Sequence, residues 1–137
     1  MADLVGTLLR RHGGGPELLA WRHEDGWHDI TSAEVGADVK HRLGEQASPK
    51  DFRTWHATVL AARGLAAAGA PPASDRARRR VVAQVVKDVA QELGNTPAVC
   101  RASYIDPRVI DLWLHGTTIR PTRSQAVGER ETLALLT

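Results

Sequence analysis

The chain has 137 residues, enough for one hydrophobic core but too few for two ordinary domains. Apolar residues make up 42% and charged residues 25%, a balance that argues against a disordered tail and predicts a soluble, folded domain. Eighteen Lys and Arg residues against sixteen Asp and Glu leave a formal charge of +2, which permits nucleic-acid binding without requiring it.

Membrane and metal functions find little support in the sequence. No apolar run approaches the length of a membrane span, and the amino terminus lacks the order of a signal peptide, so we expect a cytoplasmic protein without a membrane partner. Cys100 is the single cysteine, which excludes an internal disulfide. The six histidines lack the usual ligand spacing, so no metal site is predicted.

The first predicted elements are a short helix and a hairpin. Residues 4–11 favour a helix that ends at the glycines and proline of residues 13–16. Residues 18–30 are more extended in character, and Trp21 and Trp27 flank a turn-like Glu-Asp-Gly sequence. A small amino-terminal hairpin is therefore expected.

Two longer helices are predicted next, each with a recognisable start. Thr31 and Glu34 have the spacing of a capping box, and apolar residues follow at helical spacing up to Gly44. Ser48 and the proline after it predict the start of a helix over residues 50–68. Its alanine-rich half is expected to be buried and closely packed.

The clearest predicted helix follows Ser74, because a regular apolar face of valines and leucine runs to Gly94. Short helices are then expected from Thr96 towards Tyr104 and from Pro107 to Gly116. We expect residues 117–128 to be a loose connection and the leucines after them to form a last turn or two of helix. The apolar face consists of Val81, Val82, Val85, Val86, Val89 and Leu93.

Four arginines lie near the start of that helix, at positions 76, 78, 79 and 80. A helical surface with such a cluster could follow a phosphate backbone. A solvated helix start explains the same run equally well, so the cluster alone does not indicate DNA binding.

Two segments carry the functional signal. Residues 50–55 read Lys-Asp-Phe-Arg-Thr-Trp, and residues 93–104 read Leu-Gly-Asn-Thr-Pro-Ala-Val-Cys-Arg-Ala-Ser-Tyr. Nine positions separate Asn95 from Tyr104, which is the only tyrosine of the chain. Each segment alone is only weak evidence of function. The order of the two segments and the spacing between their residues make the evidence stronger.

In these two segments the chain resembles the type IB DNA topoisomerases of bacteria and poxviruses. That family carries a Lys-Asp-(Leu or Phe)-Arg-Thr box, followed by a Gly-(His or Asn) pair that precedes a nucleophilic tyrosine by nine positions. The resemblance extends from about residue 4 to about residue 116. It implies a mainly α fold, the helical catalytic core shared with the tyrosine recombinases, with residues 1–116 as the carboxy-terminal part of the catalytic domain and residues 117–137 as a tail.

The resemblance also implies roles for individual residues. Tyr104 would be the nucleophile that forms a 3'-phosphotyrosyl link, while Arg53 and Asn95 would stabilise the transition state. Arg53 can hold two phosphate oxygens in a planar fork, and Asn95 can donate a neutral hydrogen bond to the same phosphate. Lys50, one helical turn before Arg53, is an expected accessory.

The implied activity is relaxation of supercoiled double-stranded DNA at the nucleoid. The phosphotyrosyl link keeps the energy of the broken backbone bond, so neither ATP, a metal ion nor another cofactor is expected. A phenol is mostly protonated at neutral pH and needs help to lose its proton.

The chain departs from the family in lacking two upstream catalytic groups. The family has a first arginine and a general-acid lysine on a β-hairpin, and residues 1–49 offer no match for either. Lys40 falls on the predicted helix that starts after Thr31, and Arg10 and Arg11 lack the family context. We therefore expect a truncated and impaired catalytic region, or one completed by a second chain.

Two alternative functions stay open. A tyrosine site-specific recombinase would use the same chemistry, although a histidine is more usual there at the position of Lys50. A DNA-binding remnant that has lost its activity would explain the absent arginine and lysine.

Four other residues are predicted to play structural roles. His56 follows the arginine box, but a lone histidine near a helix start is more often packed or solvated than catalytic. Cys100 is expected to be a small buried thiol, and Trp55 and Trp113 are expected to lie in the core.

Overall fold

A computed structural model describes residues 2–137, with only the backbone of Ala2 described. Met1, where the predicted catalytic region begins, lies outside the described residues. The described chain forms seven helices and one two-stranded antiparallel hairpin, which confirms the prediction of a mainly α protein with a small hairpin. None of the helices in residues 2–137 is long and apolar enough to cross a membrane.

Backbone contacts divide the chain into two compact units, one up to Pro49 and one from Lys50 onwards. The predicted boundary at residue 116 concerns the catalytic region rather than these folding units, and it stays a prediction. The first unit contains α1 (Ala2–Leu9), β1 (Ala20–His23), β2 (Gly26–Asp29) and α2 (Ser32–Leu43). The second contains α3 (Pro49–Ala68), α4 (Asp75–Leu93), α5 (Pro97–Ser103), α6 (Pro107–Leu114) and α7 (Gln125–Leu136).

In the first unit the expected hairpin and capping box are both present. Trp21 pairs with His28 across the two strands, and Arg22 pairs with Trp27. Thr31 caps α2 reciprocally with Glu34, as the spacing of the two residues predicts. Helix α1 starts and ends two residues earlier than expected.

An ion pair between Arg11 and Asp29 holds the loop between α1 and the hairpin. Arg11 Nη2 lies 2.8 Å from Asp29 Oδ1, and both side chains are largely buried. The same guanidinium donates to the carbonyls of Gly15, Glu17 and Leu18. In return, the Asp29 carboxylate accepts from the amides of Gly15 and Glu17. These bonds satisfy the backbone of a segment that has no regular structure.

In the second unit, α3 and α4 supply most of the core. The alanine-rich half of α3 is buried as predicted, and its small side chains allow close approach of other helices. Trp113 is 1% exposed, and its Nε1 donates to the carbonyl of Gly69 at 2.8 Å. The core includes Ala57, Ala61, Leu65, Val82, Val86, Val89, Cys100, Val109, Ile110 and Trp113.

Helix boundaries in the second unit follow the predicted caps. Ser74 accepts from the third amide of α4, and Gly94 ends that helix in the left-handed conformation at φ 67°. Thr96 caps α5 in the same manner, and Asp106, which was not predicted as a cap, accepts from the second amide of α6.

Two expectations about this unit need correction. Only residues 117–124 of the expected connection lack regular structure, because α7 begins at Gln125, and the connection is held in place by Arg63 of α3, which binds the carbonyls of Thr122 and Arg123. Trp55 does not belong to the core. It is half-buried beside Leu133 of α7.

Replacing Gly15 by alanine is expected to destabilise the first unit. An added Cβ would lie 1.9 Å from Asp29 Oδ2, so the carboxylate would have to leave its backbone partners. The matched control is Gly36→Ala in α2, where nothing lies within 4 Å of the new Cβ; there the change should stabilise the helix by up to about 1 kcal/mol. Urea unfolding followed by the NMR signals of residues 15–43 measures both effects. Equal effects of the two changes would contradict the close contact at Gly15.

Candidate active site

The second unit brings three of the four predicted site residues together, with two cationic side chains beside the ring of Tyr104. Arg53 Cζ lies 5.3 Å from the centre of the Tyr104 ring, and Lys50 Nζ lies 5.9 Å from it. Both cations come from the first turns of α3, three residues apart, and therefore share a face of the helix. Tyr104 is half-buried at the end of α5, while both cations are exposed to solvent.

Arg53 also binds the end of α4. Its Nη2 donates to the carbonyl of Leu93 at 2.9 Å. The last carbonyls of a helix lack partners within the helix and carry partial negative charge, so a guanidinium is favourable there. This bond uses one of the five N–H groups of Arg53 and leaves others directed to solvent.

Asn95 lies in the turn that follows this carbonyl. Its backbone N–H donates to Ala90 at 2.8 Å and completes the helix C-cap at Gly94. Its side-chain Nδ2 is buried and has no hydrogen-bond partner. No hydrogen bond joins Asn95 to Lys50, Arg53 or Tyr104 in the described chain. An unpartnered buried donor is uncommon and costs free energy, which makes it a candidate for binding a ligand oxygen.

Thr58 fixes the position of Tyr104 relative to α3. Thr58 is 2% exposed, and its hydroxyl donates to the carbonyl of Tyr104 at 3.3 Å and accepts from the amide of Asp106 at 3.1 Å. One buried side chain of α3 thus holds the short junction between α5 and α6. Thr58 was not among the predicted site residues. The available signal is a polar residue in an apolar stretch, five positions after Arg53.

The environment of Cys100 matches its expected structural role. The thiol is fully buried, and burial raises its pKa, while the nearby charge of Arg53 acts in the opposite direction. A thiol held in its neutral form is a poor nucleophile. His56 is exposed and makes no hydrogen bond within the described chain.

No metal-binding cluster is present among residues 2–137, since no three His, Cys, Asp or Glu side chains come together in a suitable arrangement. A guanidinium and an ammonium lie beside the Tyr104 ring, and the Asn95 amide lies in the turn after α4. All three donate hydrogen bonds, so the chemistry that they suit is binding and stabilising an anion.

Comparison of the sequence with models of protein families gives no match, and comparison with curated proteins gives none either. The family resemblance therefore rests on the two sequence motifs alone and stays a prediction.

Replacing Thr58 by valine should destabilise the second unit by about 1–3 kcal/mol, because the partly buried amide of Asp106 would lose its acceptor. The shape of the side chain stays nearly the same. Thr132 provides the matched control, since it is 0% exposed and its hydroxyl has no partner, so Thr132→Val should be neutral or stabilising. Urea denaturation of both variants measures the difference. The role given to Thr58 fails if the two substitutions have the same effect.

Asp106 should titrate at unusually low pH. Its hydrogen bonds with the Arg108 side chain hold the pKa of the carboxyl below its ordinary value of 3.8. The carboxylate therefore stabilises the fold above that ordinary value, and this contribution is lost as the pH falls through the lowered pKa. Arg108→Gln should raise the pKa of Asp106, as followed by NMR titration, whereas Arg76→Gln removes the same charge elsewhere and should not. An unchanged pKa in Arg108→Gln would show that another group controls Asp106.

Proposed function

We propose that the second unit is the catalytic core of a type IB topoisomerase-like protein that acts on phosphodiesters of double-stranded DNA. The observation that carries the proposal is the convergence of Arg53 and Lys50 on the ring of Tyr104. Arg53 and Lys50 are more than 50 positions away from Tyr104 in the sequence, and the resemblance requires that the two motifs lie close together. A protein of this kind would work in the cytoplasm, at the nucleoid.

The proposed chemistry begins with attack of the Tyr104 phenol oxygen on phosphorus. The new bond is a phosphotyrosyl ester at the 3' end of the cut strand, and the bond to the 5' oxygen breaks. The 5' oxygen takes up a proton as it leaves, and the phenol gives one up. Reversal of these steps reseals the strand, so no external energy source is consumed.

The transition state carries more negative charge than the phosphodiester, and cations placed beside the nucleophile stabilise that extra charge. Arg53 is suited to two nonbridging oxygens, because its guanidinium is planar and its carbonyl contact with Leu93 restrains it. Lys50 adds a second positive charge on the same helix face.

The unpartnered Nδ2 of Asn95 is a further support for a phosphate site. Arg53 binds Leu93, two residues before Asn95, so both side chains belong to the region where α4 ends. A phosphate oxygen would give the amide the acceptor that the protein does not provide, once the side chain turns towards the surface, because Nδ2 itself is buried. As a neutral donor, Asn95 would act independently of pH in the physiological range.

The chain offers no counterpart to the family's upstream arginine and general-acid lysine. General acid catalysis is commonly worth about 10² to 10⁴ in rate, so we expect little or no plasmid relaxation by this chain alone. A second chain could supply these groups. The absence of the arginine and the lysine also supports a second candidate function, a protein that binds duplex DNA without cutting it.

A substrate with an activated leaving group tests the proposed nucleophile even though the chain has no counterpart to the family's general-acid lysine. A duplex with a bridging sulfur at the 5' position releases a thiolate, which needs no proton from a general acid. We expect a covalent protein–DNA adduct, trapped by denaturant, that is absent in Tyr104→Phe and reduced about 10² to 10³-fold in Arg53→Ala. His56→Ala is the control, since it changes an exposed residue three positions after Arg53 on the same helix.

An adduct that persists in Tyr104→Phe would overturn the assignment of the nucleophile. If the unchanged protein forms no adduct but binds duplex DNA with strong salt dependence, the second candidate function is correct. Absence of both adduct and binding would exclude both candidates.

A further inference from the structure

The second unit also has a cavity, and its lining includes neither Tyr104 nor the two cations beside the tyrosine ring. It has a volume of about 690 Å³ and lies between the first turns of α4, Arg101 of α5 and the end of α6. This volume is within the range of small-molecule sites, which is about 300–1,000 Å³. The proposed function leaves this cavity without a role.

The cavity has an apolar part and a cationic part. Val82, Ile110 and Leu114 provide aliphatic surface, while Arg79 and Arg101 provide positive charge. Ligand sites typically combine apolar walls with a few placed polar groups. A ligand that fits both parts must be partly apolar and partly anionic.

The arginines in the lining differ in how they are held. Arg78 is restrained by the carbonyls of Pro72 and Ala73 and by an ion pair with Asp75, the carboxylate in the lining, at 3.5 Å. Arg79 and Arg101, in contrast, make no hydrogen bond or ion pair within residues 2–137. Their guanidinium groups are therefore available to an anion, and guanidinium groups match phosphate oxygens in pairs.

His115 adds an acceptor at the apolar end. Its Nδ1 lies 2.7 Å from the carbonyl of Asp111, and because a carbonyl only accepts, this nitrogen carries the proton. In the neutral ring Nε2 then has a free lone pair. A hydrogen-bond donor on the ligand, such as the amino group of a base, could bind there.

From this lining we infer that the cavity binds a nucleotide, with the phosphate on Arg79 and Arg101 and the base on Val82, Ile110 and Leu114. An inorganic anion would leave the aliphatic surface uncovered, and an uncharged apolar ligand would leave the two arginines without a partner. The nucleotide is either free or a unit of a single DNA strand. The inference does not depend on the role of Tyr104.

Calorimetric titration with three probes tests the inference: adenosine monophosphate, adenosine, and a short single-stranded oligonucleotide. Adenosine should bind more weakly than the monophosphate, because it lacks the phosphate. Arg79→Gln combined with Arg101→Gln should weaken nucleotide binding about tenfold or more, through loss of charge-assisted hydrogen bonds. Arg76→Gln with Arg80→Gln removes the same charge from exposed positions outside the lining and should have little effect.

A second variant tests the cavity without altering charge. Ala83 is exposed and lines the cavity, so Ala83→Phe should fill it, leave the fold intact and weaken binding to a similar extent. Circular dichroism confirms that each variant is folded.

The probes distinguish a free nucleotide from a nucleotide that is part of a single DNA strand. Binding of the monophosphate with this pattern of variants identifies a free nucleotide, and binding of the oligonucleotide alone with the same pattern identifies a unit of a strand. Equal losses in the two double variants would show unspecific attraction by charge and overturn the inference. So would the absence of binding by both phosphate-bearing probes.

Discussion

The buried hydroxyl of Thr58 is the contact on which the geometry around Tyr104 depends. It bonds the carbonyl of Tyr104 and the amide of Asp106, and so ties α3 to the short junction between α5 and α6. Arg53 and Lys50 extend from the same helix, one to two turns before Thr58. A single rigid helix thus carries both the cations and the group that positions the tyrosine, which limits their relative movement.

The end of α4 also holds part of the candidate site in place. Gly94 ends the helix in a left-handed conformation, and the freed carbonyl of Leu93 accepts from Arg53. The same turn leaves Asn95 Nδ2 buried without a partner. Most buried donors in proteins are satisfied, and exceptions tend to occur at functional sites. The free energy lost at Asn95 is understandable if a phosphate oxygen binds there.

Much of the fold was predictable because its signals are local. The caps at Thr31, Ser74 and Thr96 follow from short-range spacing, and so do the valine face of α4 and the hairpin turn. The start of α7 was missed because its order comes from distant contacts with Arg63. Proximity of Arg53 to Tyr104 was expected only through the family resemblance, and the role of Thr58 was not visible because its two partners are more than 40 residues away.

Direct observation of a bound phosphate would test the central claim most simply, and it requires no catalysis. An oligonucleotide duplex with a recessed 3'-phosphate can be titrated into the protein while NMR follows the Asn95 side-chain amide, the Arg53 guanidinium and the Tyr104 ring. We expect all three signals to shift with one common dissociation constant, and the signal of Thr132, a fully buried residue of α7, to stay unchanged. Binding of the duplex without a shift at Asn95 and Tyr104 would contradict a phosphate site formed by these residues.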